Sequence, residues 1–176
     1  MESQDKRQSR SPAKRLAVTG MLAVFALILG LVESMLPPIS STIPGIKIGL
    51  SNIVVLFALE YVNFPAAISI VVIKALFAFI TRGVIAGVLS LFGGVIAILV
   101  MAAAFKIFNG KISYMGISVL GSVCHNMGQL AVAAFLINIA AVKALIPALL
   151  ISGVVMGIST GLLYKLISAK AKYMKM

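Results

Sequence analysis

Polar residues in this chain punctuate long apolar runs and do not alternate with apolar positions, so the pattern is one of helices separated by short breaks. The breaks fall at Pro37-Pro38, Asn63-Phe64-Pro65, Thr81-Arg82-Gly83, Asn109-Gly110-Lys111 and Asn138 to Lys143. They predict six helices, near 16–36, 46–62, 65–81, 84–107, 113–138 and 144–168. Most of these approach the roughly 20 residues needed to cross the hydrocarbon core of a bilayer. The second and third are short, so one of them is expected to tilt, kink or span only partly. Pro37, Pro38 and Pro44, set among Ser and Thr, make residues 36–45 a true loop, because proline removes a backbone donor and clashes with the preceding turn. This loop is expected to lie over the outer half of the bundle.

Composition fixes the class. With 61% hydrophobic residues in 176, the chain cannot give a globule a charged surface, and the expected fold class is an all-α integral membrane protein, a six-transmembrane-helix bundle. The expected organisation is a basic tail over 1–15, one transmembrane domain over 16–168 and a second basic tail over 169–176, with no additional soluble domain. The run after Arg15 is too long for a signal-peptide core and lacks a small-residue cleavage site, so it reads as a retained first helix. Counting basic residues gives orientation. With the amino terminus inside, Lys6, Arg7, Arg10, Lys14, Arg15, Lys106, Lys111, Lys165, Lys170, Lys172 and Lys175 are cytoplasmic, against Lys47, Arg82 and Lys143 outside. Both termini are then expected in the cytoplasm of a bacterial cell, with the bundle in its inner membrane. The net charge of +11 is therefore a topology signal, which lets the tails touch anionic lipid. Nucleic-acid binding would need a basic face on a soluble fold, so no nucleic-acid partner is expected.

Nine charged residues lie between Leu16 and Ser168, and eight of them sit near the ends of apolar runs. The exception is Lys74, inside Ala66 to Ile80. A cation near the centre of a membrane costs about 2.5 to 3.5 kcal/mol on insertion scales, so it is expected to face a cavity, a partner or an anion unless its stem snorkels to an interface. The outer half of the bundle supplies Lys47 and Asn52 on helix two and Arg82 at the end of helix three. Helix five adds His125, Asn126 and Gln129, whose spacing of three and four lets them address one sector. His125 falls about 18 Å along its helix, near the depth of Lys74. Three cations, three amides and an imidazole make a seat for a small anionic or amphiphilic solute; interhelical hydrogen bonding is the simpler use of His, Asn and Gln, and of Asn126 above all. No metal site and no cofactor are expected: Cys124 points about 100° away from His125, no carboxylate lies nearby in sequence, and neither a zinc set nor a catalytic dyad is assembled. Gly153, Gly157 and Gly161 recur every four residues, as expected of a helix-packing stripe; Gly83 with Gly87 and Ala26 with Gly30 share that spacing. Ala13, Ala17 and Gly20 mark a second small-residue face, on helix one, where another membrane protein can approach.

Three stretches carry a family resemblance: Pro44-Gly45-Ile46-Lys47-Ile48-Gly49-Leu50-Ser51-Asn52; Ser90-Leu91-Phe92-Gly93-Gly94; and Gly116 to Gly121 leading into His125-Asn126-Met127-Gly128-Gln129-Leu130. They resemble the Gx transporter family, also catalogued as heptaprenyl diphosphate synthase component I. That family is similar to the substrate-binding S components of energy-coupling factor (ECF) transporters. The resemblance implies a non-enzymatic six-helix bundle that captures a solute from outside and works with a transmembrane coupling subunit and two cytoplasmic ATPases. It also implies docking on the coupling subunit through small residues of helix one. The alternative is a non-catalytic membrane accessory of prenyl diphosphate or quinone synthesis. Catalysis of prenyl transfer needs clustered aspartates to hold magnesium, and this chain has one aspartate, Asp5, with Glu2, Glu33 and Glu60 dispersed. No Walker motif occurs, so energising ATPases must be other chains. A proton-coupled carrier using His125 would have only Glu33 and Glu60 as membrane acids.

Overall fold

A computed structural model describes residues 11–35, 50–108, 111–136 and 139–173. Lys47 and the 36–45 loop lie outside the described residues. The described chain forms six helices: α1 (Pro12–Met35), α2 (Leu50–Tyr61), α3 (Phe64–Arg82), α4 (Val84–Ile107), α5 (Tyr114–Leu136) and α6 (Ile139–Tyr173). Five are long and apolar enough to cross a membrane. The sixth, α2, has 12 residues. Its 12 residues follow directly on residues outside the described ones, whereas α3, the other short run in the sequence, has 19 residues and is long and apolar enough to cross.

Helix ends follow local chemistry. α1 starts at Pro12, four residues before the expected boundary at 16, because the Ser11 hydroxyl accepts from the Lys14 amide at 3.3 Å and a proline in the first turn gives up no helical bond. Asn63 Oδ1 accepts from the Ala66 amide at 2.8 Å and Pro65 sits in the first turn of α3. Gly83, with φ 93°, joins α3 to α4 in a conformation that glycine adopts without strain, and its amide donates to the Phe79 carbonyl at 3.0 Å. Ser113 Oγ accepts from the Gly116 amide at 3.1 Å at the start of α5. α6 begins five residues before the expected 144 and runs through Pro147. Neighbouring helices make such a proline tolerable in a membrane.

The short helix α2 is the middle of the bundle. It packs against α1, α3, α4 and α6, and Ile53, Val54, Val55 and Leu56 are buried in succession, as expected of a helix apolar on all sides. The surrounding helices turn large apolar side chains outward, among them Phe25, Ile80, Phe135, Ile151 and Leu166. That polarity suits lipid and not water.

Glycines set the spacing between the outer helices. A Cβ added to Gly153, Gly157 or Gly161 of α6 would lie 3.0, 2.3 and 2.6 Å from the Cα atoms of Val123, Val119 and Met115 of α5. Each four-residue step along α6 meets a four-residue step back along α5, so the pair runs antiparallel in backbone contact. On the other side of α4, a Cβ on Gly87 would lie 2.6 Å from Phe79 Cβ and one on Gly94 2.5 Å from Val71 Cγ1, which seats α4 on α3.

One end of the bundle is tied by a carboxylate. Glu60, at the end of α2, accepts from the hydroxyl of Tyr114 at 2.8 Å and from that of Tyr164. The buried Tyr164 ring tilts against Tyr114 with centroids 5.0 Å apart, and Phe57 stacks on Tyr61 at 4.5 Å. Three helices, α2, α5 and α6, are thereby joined at that end.

Candidate functional site

Lys74 lies ten residues into α3 and eight from its end. At 1.5 Å per residue it is about 12 to 15 Å from either terminus. Its ammonium does not turn to an end: Nζ donates to Asn52 Oδ1 of α2 at 2.9 Å. Asn52 is a neutral acceptor. Asn52 can meet Lys74 because α2 and α3 are joined by a short turn at the Asn63 cap and run back antiparallel.

A cavity with about 30 Å³ of room opens beside this pair, and Asn52, Lys74 and His125 all line it. Ser90 of α4, Ser118 and Ser122 of α5 and Thr160 of α6 supply hydroxyls, while Val55, Leu56, Val71, Ala97 and Met101 supply apolar wall. His125 reaches the cavity across the α4–α5 contact. A Cβ on Gly93 would lie 3.1 Å from His125 Cε1, 2.9 Å from the His125 carbonyl oxygen and 2.8 Å from Gln129 Cγ. Both side chains therefore rest on Gly93, and of the two His125 lines the cavity. His125 Nδ1 is buried and has no hydrogen-bond partner among the described residues, and the same holds for Ser118 Oγ.

The other candidates lie apart from the cavity. Asn126 faces α6, where its amide donates to the Leu149 carbonyl at 2.9 Å and to Ser152 Oγ at 3.2 Å. Successive residues of a helix diverge by about 100°, so His125 and Gln129 turn to α4 while Asn126 turns away; the single sector expected for all three is divided between two interfaces. Arg82 is exposed at the last turn of α3. Ala13, Ala17 and Gly20 are exposed along α1, and a Cβ at Gly20 would meet nothing within 4 Å. Among the described residues no three His, Cys, Asp or Glu side chains gather in a way that would hold a metal.

The hydroxyl lining escaped the sequence reading. Ser118, Ser122 and His125 fall at i, i+4 and i+7, one face of α5, but serines inside an apolar helix carry no signal until the neighbours of that face are known. The tyrosine clamp on Glu60 was equally hidden, since Tyr114 and Tyr164 lie 54 and 104 residues from it.

The described chain is thus a bundle of long apolar helices around the buried α2, with a polar cavity beside Lys74. A solved structure of the S component of a bacterial ECF transporter superposes with a TM-score of 0.72, covering 94% of this chain and all of that one at 18% identity; the shared feature is the fold. The model of the family described as heptaprenyl diphosphate synthase component I matches residues 22–167, and the chain belongs to that family. No curated protein matches it.

Proposed function

We propose that this protein is a solute-binding S component of an ECF-type importer, taking a small anionic or amphiphilic solute into the cavity at Lys74. The observation that carries this reading is the meeting of Lys74, Asn52 and His125 at one cavity in the middle of a bundle with the S-component fold. Lys74 supplies charge attraction, Asn52 holds the ammonium in the bundle and His125 and Gln129 orient the solute. Some 30 Å³ is room for one or two waters. Admission of a solute therefore requires the walls to part. Lys47 and Arg82 are assigned to the entrance, on the outer side, with both termini cytoplasmic. A coupling subunit docking on Ala13, Ala17 and Gly20, and two ATPases, supply the energy. No catalytic step is assigned to the chain.

A second reading follows from the family description: a non-catalytic membrane accessory of prenyl diphosphate synthesis. Mass spectrometry of small molecules released from the purified protein separates the two. The S-component reading expects a species carried by the wild type and lost from Lys74→Ala and His125→Ala. An identical profile for all three, together with co-purification of a soluble synthase, would favour the accessory.

A further inference from the structure

Hydroxyls on these helices mostly satisfy themselves. Thr19, Ser69, Thr81, Ser159, Thr160 and Ser168 each donate to a carbonyl three or four residues back on the same helix, at 2.7 to 3.1 Å. Ser118 has the same option and does not take it: the residue is 4% exposed, and its Oγ has no hydrogen-bond partner among the described residues. His125 Nδ1, seven residues further along α5, is in the same condition. Seven residues are close to two helical turns, so both groups lie on one face of α5, about 10 Å apart along its axis. Both line the cavity, with Ser122 between them. Val55, Leu56 and Ala97 add apolar wall to the same cavity. A polar atom buried without a partner is destabilising, and the Ser118 hydroxyl, able to donate or accept, points to a guest that bonds it.

We propose that the solute of this site is an elongated anion, its charged group held at Lys74 on the His125 side of the cavity and a second hydrogen-bonding group at its far end held by Ser118. The proposal rests on reading the cavity as the solute site and adds the solute's shape and its second polar end. Ser118 is then the residue that decides specificity, and Lys74 the residue that decides charge.

Calorimetric titration of the detergent-purified chain with octanoate and with ω-hydroxyoctanoate tests this on the wild type, Ser118→Ala and Lys74→Met. The wild type is expected to bind the hydroxylated probe about tenfold more tightly, the ratio set by one added hydrogen bond to a buried group. Ser118→Ala is expected to erase that preference while binding octanoate as the wild type does, which also shows that the variant is folded. Lys74→Met is expected to lose both probes. No preference in the wild type, or a preference that survives in Ser118→Ala, overturns the two-ended solute and leaves the cavity reading standing. Undiminished binding of both probes by Lys74→Met overturns the cavity reading, and the proposal with it.

Discussion

At the scale of single residues, some polar groups of this bundle hold helices together and others gather on the cavity. Glu60 belongs to the first kind. Glu60→Leu would leave the buried Tyr164 hydroxyl without its acceptor, at a cost of about 1 to 3 kcal/mol, and adding Tyr164→Phe should recover part of that loss because no polar group is then stranded. Thermal unfolding in detergent of the two single variants and the double variant checks the sign of the coupling; strictly additive losses would contradict it. His125 belongs to the second kind, and Gly93 lies against it. Gly93→Ala places a methyl 2.8 Å from Gln129 Cγ and 2.9 Å from the His125 backbone, so the side chains that rest there must shift. Solute retention by Gly93→Ala should fall at least severalfold while the protein still purifies as a folded bundle, and unchanged retention would remove His125 and Gln129 from the site. Lys74 was legible in the sequence because a lone cation inside an apolar run costs enough to need a reason. Asn126 bonds between helices, the simpler use expected of it, and the rotation of about 100° per residue is what parts it from His125.

At the scale of helices, lengths and breaks were readable and contacts were not. Prolines, Asn63, Gly83 and the polar stretches mark the ends of helices through local backbone chemistry, which needs no tertiary information. The boundary missed by four residues at α1 had its own local signal, Ser11 followed by Pro12, a cap and a first-turn proline. The glycine stripe of α6 showed that something approaches closely, and only the packed bundle shows that it is the backbone of α5. Gly157→Ala would put a methyl 2.3 Å from Val119 Cα, where backbone and not a flexible side-chain tip must yield, so a loss of about 1 to 3 kcal/mol is expected. Gly20→Ala meets nothing within 4 Å and serves as the matched control. Comparing the two melting temperatures in one detergent checks this; equal values would show that α5 and α6 are not held by backbone contact.

At the scale of the whole molecule, the question is what the bundle assembles with. Ala13, Ala17 and Gly20 form an exposed small-residue face on α1, and docking of a coupling subunit there predicts that Ala17→Trp lowers co-purification of that subunit at least tenfold without changing solute retention. Equal recovery of the subunit would move the interface elsewhere. The chain by itself determined that it is a membrane bundle of six helices, where most of them begin and end, and that Lys74 is its anomalous charge. These follow from apolar run length, from proline and glycine, and from the cost of a charge in hydrocarbon, all of which act locally. Tertiary structure alone decided that α2 is the buried centre, that Asn52 holds Lys74, that Ser118 and His125 share one cavity, and that Tyr114 and Tyr164 close on Glu60. Each of those depends on which faces of distant helices meet. In a membrane every outward face is apolar as well, so hydrophobic periodicity does not mark the inward one.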